Sequence, residues 1–380
     1  MRDTPTDILI IGGGIIGLSL AIELKLRGSN ITVLTRDFQQ AAAQAAAGML
    51  APQAENIPPS PMLDLCLRSR ELYPDWINKL ETISGSKTGY WPCGILAPIY
   101  DKQSTFNSQH LTFCEWLDHD AIHQHQPGLN TEVIGGHWYP NDAQVDNRAL
   151  FRTLQLTAKQ LNIDIRQGIA EEIIRKGSKV LGIKTVKEEL QASHYILATG
   201  AWSKELLPVP IYPKKGQMLS VCLPPNSTNK LSLQTVLFGT EIYIVPRQDG
   251  RIVIGATSEN VGFTSGNTPS GMQALLTSAL RLYPELQHYP IQEFWWGFRP
   301  ATPDELPILG PSAWDNLTLA TGHYRNGILL APITAILIAD WIEQQKSEPL
   351  LTHFHYSRFA DSGAPPHQLV TPHQERRYQY

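Results

Sequence analysis

Glycines near the amino terminus have the spacing of a phosphate-binding turn. Gly12, Gly14 and Gly17 fit the pattern G-x-G-x-x-G between an apolar run and a helical pattern. The first glycine permits a tight turn, the second lets the backbone approach a pyrophosphate, and the third lets helix and strand pack closely. The amino terminus of the helix offers unpaired N–H groups and the positive end of its dipole. The spacing therefore predicts a dinucleotide site.

The position that should recognise the adenosine ribose does not carry an acid. About twenty residues beyond the glycines, at the end of the second strand, dinucleotide-binding folds place an Asp or Glu. This chain has Thr35 there, followed by Arg36 and Asp37. A threonine hydroxyl can still bond a ribose hydroxyl, Asp37 can reach back, and Arg36 suits a 2′-phosphate. The fingerprint alone therefore leaves NAD, NADP and FAD open.

Three elements must hold these residues in place. Residues 8–11 are a continuous aliphatic run, typical of a strand that is buried on both faces. Residues 15–26 have helical spacing, and residues 31–34 form a second apolar run. A signal peptide or membrane span is disfavoured, because each glycine would weaken a continuous helix by about 1 kcal/mol. The segment predicts a βαβ unit and an α/β fold.

The rest of the chain alternates between helical and strand patterns. Further helices are predicted over residues 62–80, 149–161, 271–282 and 328–342. Further strands are predicted over residues 195–198, 217–223, 242–246 and 251–255, with 247–250 as the hairpin turn between the last two. Small residues predominate over 41–49, which predicts that the backbone there closely approaches a helix or a flat ligand.

The composition is that of a globular protein that does not bind nucleic acid. The chain has 380 residues and a net charge of −4, whereas nucleic-acid binding requires a basic surface. Its four cysteines form no C-x-x-C pair, which predicts a reducing, cytoplasmic location. His119, His123 and His125 lie in a polar stretch before Pro127 without a paired cysteine. They predict a solvated helix end, and no metal site is expected.

Four later segments carry a resemblance to a known family. They cover residues 48–52 (GMLAP), 198–203 (ATGAWS), 297–310 (GFRPATPDELPILG) and 322–332 (GHYRNGILLAP). In this order and at these separations, the chain resembles the D-amino-acid oxidase superfamily of FAD enzymes, and within it the glycine oxidases of the thiazole pathway. The resemblance extends over residues 5–345 and leaves out the tail.

The resemblance implies a cofactor, a reaction and an assembly. The family binds FAD noncovalently and transfers a hydride from the α-carbon of a small amino acid to flavin N5. Oxygen then reoxidises the flavin to give hydrogen peroxide. For glycine, and likewise for sarcosine and small D-amino acids, the imine hydrolyses to an oxo acid and an amine, or it supplies thiazole synthesis for thiamine. The resemblance also implies a homo-oligomer, commonly a tetramer.

Matching motifs imply which residues bind the cofactor. The turn glycines and the residues matching the family are Ile15, Ile16, Thr35, Arg36, Ala42, Ala43, Ala47, Gly48, Met49, Ala170, Thr199, Gly200, Trp202, His323, Tyr324, Arg325, Asn326, Gly327, Ile328 and Leu329. The chain departs from the family at two places. The family has Glu where Thr35 stands, and it often has hydroxyl residues where Ala42 and Ala43 stand. Both departures predict weaker FAD binding.

Three residues match the family's substrate-binding positions. Arg299 corresponds to the arginine that binds the substrate carboxylate, since a guanidinium can grip a carboxylate with two bonds. Tyr243 corresponds to the tyrosine that adds a hydroxyl to this grip, and Arg325 to a second arginine at the site entrance. From pattern alone, Tyr243 is equally a core aromatic of a strand, and Arg299 a buried arginine paired with Asp304.

The resemblance also implies two domains. A Rossmann-type FAD-binding domain would take residues 1–85, 145–210 and 300–350. An antiparallel-sheet α+β substrate domain would take residues 86–144 and 211–299, and residues 351–380 would be a polar tail. The substrate would then bind at the interface between the domains.

Two alternatives remain open at this stage. A flavin dehydrogenase of the same fold would oxidise an amine and pass the electrons to an acceptor other than oxygen. A degenerate FAD-binding protein without activity would explain Thr35 and the alanines, although Tyr243, Arg299 and Arg325 argue against it.

Overall fold

The computed structural model of the chain describes residues 6–101, 114–224, 233–344 and 348–362. Its α-helices are α1 (Ile15–Leu26), α2 (Ala42–Ala45), α3 (Pro61–Ser84), α4 (His119–His125), α5 (Asn147–Gln160), α6 (Pro269–Leu282) and α7 (Ala331–Gln344). The first twelve strands are β1 (Ile8–Ile11), β2 (Ile31–Thr35), β3 (Met49–Leu50), β4 (Ile95–Ile99), β5 (Glu115–Asp118), β6 (Gly135–Tyr139), β7 (Ala143–Gln144), β8 (Asp164–Gln167), β9 (Ala170–Lys176), β10 (Lys179–Thr185), β11 (Glu189–Leu190) and β12 (His194–Leu197). The remaining strands are β13 (Tyr212–Cys222), β14 (Val236–Phe238), β15 (Tyr243–Pro246), β16 (Arg251–Gly255), β17 (Ile291–Ala301), β18 (Ile308–Pro311) and β19 (Leu317–Thr321).

One sheet is largely parallel and holds the glycine turn. Its six strands lie in the order β18-β19-β12-β1-β2-β8, and only the β18–β19 pair is antiparallel. All four residues of β1 are buried, as expected for an aliphatic strand covered on both faces. The carboxyl ends of β1, β2 and β12 meet at one edge, which is where ligands bind in open parallel sheets. The predicted α/β fold class is confirmed.

A second sheet is mostly antiparallel and carries the residues that match the substrate site. Its eight strands lie in the order β17-β13-β16-β15-β14-β4-β6-β5, and β14 pairs with β4 in parallel. The two long strands β13 and β17 pair along their length, with Lys214 opposite Arg299. Tyr243 of β15 lies opposite Gly255 of β16. The strand register therefore fixes the backbone positions of Arg299 and Tyr243.

The two sheets draw on different parts of the chain. The first takes strands from residues 8–35, 164–197 and 308–321, and the second from residues 95–139 and 212–301. The division into an FAD domain and a substrate domain stays a prediction. A three-stranded sheet (β9 to β11) and a two-stranded sheet (β3 and β7) complete the fold.

Two sequence expectations need correction. The last helix begins at Ala331 instead of Ile328, because Leu330 N–H bonds to the carbonyl of Asn326 (2.8 Å) and closes a separate turn before it. Strand β13 begins at Tyr212, five residues before the predicted start at 217, because it pairs with β17 along its full length. The predicted hairpin turn over residues 247–250 does connect β15 and β16, and Arg247 within it is buried at 3% exposure.

The predicted polar tail is described only in part. Residues 349–354 and 356–362 form two short 3-10 helices, and Leu351 and Phe354 are buried. Residues 363–380 lie outside the described residues. Among the helices that the structure describes, none is long and apolar enough to cross a membrane.

Candidate active site

The glycine turn between β1 and α1 is shaped to receive phosphate. A Cβ on Gly12 would lie 2.3 Å from the carbonyl oxygen of Ala198, and one on Gly17 would lie 1.8 Å from that of Gly12. Both positions therefore require glycine for packing. At Gly14, a Cβ would meet no atom within 4 Å, and this residue caps α1 without a side-chain bond. The first-turn N–H groups of α1 are thus open to a pyrophosphate.

A cavity of about 370 Å³ extends from this turn to Arg299. It brings together most of the predicted site residues, and its wall includes Gly12, Gly14, Ile15, Ile16, Thr35, Arg36, Ala42, Ala43, Ala47, Gly48, Met49, Ala170, Thr199, Gly200, Trp202, Tyr243, Arg299, His323, Tyr324, Arg325, Gly327 and Ile328. Three predicted cofactor residues, Gly17, Asn326 and Leu329, do not line it. Gly17 packs behind the turn, and Leu329 is buried in the core below the loop.

The adenosine end of the cavity lies at the carboxyl end of β2. Thr35 is 3% exposed and packs against the glycine turn, since a Cβ on Gly13 would lie 2.6 Å from its Oγ1. Arg36 forms an ion pair with Glu205, and its guanidinium lies 5.7 Å from the ring centroid of Trp202. The charge of Arg36 is therefore paired, which removes the reason to expect a 2′-phosphate beside it.

The alanine-rich segment is held from behind by two buried polar side chains. Asn147 Nδ2 donates to the carbonyls of Ala43 (2.8 Å) and Gln44 (3.1 Å). Arg247 Nη2 donates to the carbonyl of Ala47 (2.6 Å). Burial lowers the pKa of Arg247 to about 10, although the charge of Asp146 opposes this shift. With the carbonyls bound on one side, small side chains line the cavity on the other and leave room for a flat ring system.

The loop before α7 forms another wall of the cavity. Tyr73 and Ser69 of α3 donate to the carbonyls of Ile328 (2.7 Å) and Leu329 (2.5 Å) and so fix the loop from below. His323 is buried, and its Nε2 lies 3.1 Å from Thr334 Oγ1. Burial lowers the pKa of His323 to about 3, so the imidazole is neutral near pH 7.

Arg299 presents a cation to the cavity. Its Nη1 donates to the carbonyls of Thr257 (3.1 Å) and Lys215 (3.4 Å), which fix the direction of the guanidinium. Within the described ranges, no carboxylate lies within 4 Å of it. Asp304, the alternative partner, binds Arg358 instead (2.7 Å). A half-buried guanidinium that is held by carbonyls and by the Tyr243 side chain, without a carboxylate partner in the described residues, is suited to bind an anion from the cavity.

Tyr243 reaches the same end of the cavity from the neighbouring strands. Its hydroxyl lies 3.7 Å from Met218 Sδ. Burial raises the pKa of the phenol, and the charge of Arg299 opposes this rise. Glycines on the adjoining strands make room for both side chains: a Cβ on Gly255 would lie 2.8 Å from the Tyr243 hydroxyl, and one on Gly216 would lie 2.5 Å from Arg299 Nη1.

Glu55 is a site residue that the sequence analysis missed. Its Oε1 lies 3.8 Å from Arg325 Nη2, and its side chain is 13% exposed. Burial raises the pKa of Glu55, while the charges of Arg325 and Arg299 lower it. The sequence around it gives no local signal of a buried acid, since Gln53 and Asn56 stand close on either side. The end of the cavity that the sequence assigns to the substrate thus combines two arginines with one buried carboxylate.

Fold and site together define a class of protein. The family described as FAD dependent oxidoreductase matches residues 7–341, and the chain belongs to this family. The predicted resemblance is thereby confirmed, and the cofactor of this class is FAD, which the open glycine turn and the alanine segment fit.

Individual relatives narrow the class. The chain is 61% identical to the bifunctional protein ThiO/ThiG of Trichormus variabilis over 359 residues, which cover 93% of the chain and 55% of that protein. It is 31% identical to the glycine oxidase of Geobacillus kaustophilus over 369 residues, covering 93% and 97% of the two chains. The crystal structure of glycine oxidase from Geobacillus kaustophilus aligns with a TM-score of 0.87 at 31% identity, covering 93% of this chain and 98% of that one. The chain spans about half the length of the bifunctional relatives it matches, 55% in the first case.

Proposed function

We propose that this protein is a glycine oxidase, which converts glycine, oxygen and water to glyoxylate, ammonia and hydrogen peroxide. The observation that carries the proposal is Arg299. It is a guanidinium without a protein carboxylate partner in the described part of the chain, and it lies in the same cavity as the glycine turn. The glycine oxidases among its relatives support glycine as the substrate.

The protein residues bind and orient the substrate. Arg299 takes the carboxylate with the guanidinium N–H groups that the Thr257 and Lys215 carbonyls leave free. The Tyr243 hydroxyl adds a hydrogen bond on the same carboxylate. Glu55 provides a negative charge for the amine, and Arg325 holds Glu55 in place. Holding the reacting carbon in one orientation converts a bimolecular reaction into an effectively unimolecular one.

The cofactor supplies the redox chemistry. When bound, FAD would supply an acceptor for the hydride of the substrate α-carbon and a route for its electrons to oxygen. The chain supplies the groups that hold it: first-turn N–H groups of α1 for the pyrophosphate, and the segment from Ala42 to Met49 for the ring system. We assign Ala170, Thr199, Gly200 and Trp202 to the adenosine side of the same cavity.

Anaerobic addition of glycine to the purified flavoprotein tests the proposal. Loss of the flavin absorbance, followed by its return when air is admitted, is the expected result. Absorbance that does not change with glycine, sarcosine or D-alanine would overturn the substrate assignment. Absorbance that falls with glycine and stays low in air would favour an acceptor other than oxygen, the dehydrogenase alternative.

The proposal extends to the role of the product. We infer that the imine formed from glycine supplies thiazole synthesis for thiamine, and that the active form is a homo-oligomer. The similarity to a bifunctional ThiO/ThiG protein supports the first of these. A thiamine-auxotrophic strain that lacks its own amine oxidase should regain growth without thiamine when it expresses this chain. Light scattering of the purified protein measures the oligomeric state.

A further inference from the structure

The adenosine end of the cavity lacks the acid that usually follows the second strand. Thr35 occupies the position, and its side chain is buried against the glycine turn. A carboxylate is the better acceptor for a ribose hydroxyl, because a hydrogen bond to a charged group is stronger than one to a neutral group. The wall of the cavity therefore has to be searched for a carboxylate from another element.

Four carboxylates line the cavity: Asp37, Glu55, Glu205 and Glu241. Glu55 lies beside Arg325 at the substrate end, and Glu241 accepts a bond from Ser278 of α6 (3.3 Å), which packs on the antiparallel sheet. Asp37 caps the short 3-10 helix Phe38–Gln40 through bonds from Gln39 N (2.8 Å) and Gln40 Nε2 (3.3 Å). Among the cavity-lining carboxylates that the structure describes, Glu205 is the one at the adenosine end with an oxygen that accepts no hydrogen bond.

Glu205 is brought to this end by the turn after β12. It is the last residue of the 3-10 helix Gly200–Glu205, and its Oε2 binds Arg36, the residue that directly follows Thr35. Within the described residues, its Oε1 has no hydrogen bond. Arg36 is in turn held over Trp202, whose ring stacks on Phe263 at 5.4 Å. The carboxylate is thus fixed on one oxygen and available on the other.

We propose that Glu205 binds the 2′-hydroxyl of the adenosine ribose of FAD, in place of the acid that Thr35 lacks. The carboxylate enters from the β12 side of the site instead of the β2 side, and Arg36 positions it. The same arrangement disfavours a 2′-phosphate, since Glu205 would repel it. The inference depends on FAD binding and not on the amine substrate, so it can fail while the proposed oxidase activity stands.

Affinity for the cofactor tests this contact without any turnover. Apoprotein is titrated with FAD and with the FAD analogue whose adenosine lacks the 2′-hydroxyl, and binding is followed by quenching of flavin fluorescence. For Glu205→Ala, the Kd for FAD should rise about tenfold, the loss typical of one hydrogen bond to a charged group. Wild-type protein should bind the deoxy analogue about tenfold more weakly than FAD, and the variant should bind both ligands equally.

Glu188→Ala is a matched control. Glu188 has nearly the same exposure (48%, against 47% for Glu205) and also pairs with an arginine, Arg166, but it does not line the cavity. This variant should bind FAD like the wild type. An unchanged Kd in Glu205→Ala would overturn the proposal. An equal loss for FAD and for the deoxy analogue would also overturn it, because Glu205 would then act only through the position of Arg36.

Discussion

At the substrate end of the cavity, Tyr243 and Arg299 project from strands of one sheet, whereas at the adenosine end the side chains come from the tips of separate elements. Tyr243 and Arg299 start from registers fixed by strand pairing, opposite Gly255 and Lys214. Thr35, Arg36 and Glu205 come from the end of β2 and from a turn after β12. A side chain on a paired strand cannot move along the sheet without a shift of the strand register. At the ends of elements, a contact with a ligand can instead be supplied by a residue of another element.

This difference explains where the chain keeps the family's residues and where it departs from them. By the resemblance in the sequence, the arginine and tyrosine of the substrate end are predicted to correspond to the family's substrate-binding residues. At the adenosine end, a threonine stands in the acid's place, and a carboxylate reaches the same region from another element. Recognition at the tips of elements therefore tolerates substitution, and the following predictions test this contrast from the strongest effect to the weakest.

Arg299→Ala should lower kcat/KM for glycine at least about a hundredfold, as expected when one partner of a half-buried charged pair is removed. The Kd for FAD should not change, because Arg299 lies at the other end of the cavity. Steady-state kinetics and a flavin titration on the same preparation measure both. Arg299→Lys should recover only part of the activity, since lysine lacks the two-pronged geometry. An unaltered KM would remove Arg299 from the carboxylate site.

Tyr243→Phe should raise the KM for glycine about tenfold with a smaller change in kcat, since it removes one hydrogen bond to a charged group. The ring, which packs beside Met218, is retained. Protein stability should therefore stay close to that of the wild type, and thermal unfolding checks this. If KM stays constant, the tyrosine serves the core of the sheet and the substrate end depends on arginine alone.

His323 makes the stability of the protein depend on pH. Burial lowers its pKa to about 3 from an ordinary value of 6.5. Below pH 6.5, His323 is protonated in the unfolded chain but stays neutral in the native chain. The free energy of unfolding should therefore fall as the pH drops toward 3. Each pH unit in this window should cost about 1.4 kcal/mol for this group.

His323→Gln should reduce the dependence of the unfolding free energy on pH by up to about 1.4 kcal/mol per pH unit, since glutamine does not titrate. Urea unfolding of the apoprotein between pH 4 and pH 7 measures the slope. His119→Gln, a substitution at an exposed histidine, is the matched control. Equal slopes for the wild type and His323→Gln would show that the His323 pKa is not lowered in solution.

Glu55→Gln should tighten the binding of acetate, a carboxylate without an amine, by a few-fold, because it removes a negative charge beside Arg299 and Arg325. Glycine should gain less, since its amine loses an attractive partner. The burial-raised pKa of Glu55 also predicts that wild-type protein binds acetate more tightly in mild acid, and that the variant loses this dependence. Competitive inhibition measured across pH values gives both results.

Glu241→Gln is the control for this change, because Glu241 also lines the cavity but pairs with Ser278. It should leave acetate binding within about twofold of the wild type, as for an exposed charge. If both variants shift acetate binding equally, the effect comes from the overall charge of the cavity and not from Glu55.

Much of the fold follows from local patterns in the sequence. The βαβ unit is plain because a buried parallel strand is continuously apolar and the glycines mark its turn. The predicted start of α7 was wrong because residues 326–330 form a separate turn, closed by the bond from Leu330 N–H to the Asn326 carbonyl. The amino-acid composition of such a turn does not differ from that of the first turn of a helix. The eleven-residue β17 was not predicted, since exposed and intermediate residues alternate irregularly along it.

The candidate site divides in the same way. Arg299 stands in one of the four segments that carry the family resemblance, and Tyr243 stands in a strand predicted from its apolar pattern, so the sequence is sufficient to propose both. Glu55, Arg247 and Glu205 act through contacts with residues far away in the chain. Arg247 binds the carbonyl of Ala47 across 200 positions, and no local pattern predicts this pairing. Their roles depend on tertiary approach, which only the structure provides.

Gly216 and Gly255 occupy places where any side chain would displace Arg299 or Tyr243. Neither residue offers a functional group to a ligand, yet both restrict how the protein can evolve. If Arg299 and Tyr243 bind the carboxylate as proposed, a related protein that acquires a new substrate through changes around the cavity must retain both glycines to keep that binding. Two glycines that contact no ligand therefore constrain the evolution of this site, because the space beside them is occupied by the side chains of Arg299 and Tyr243.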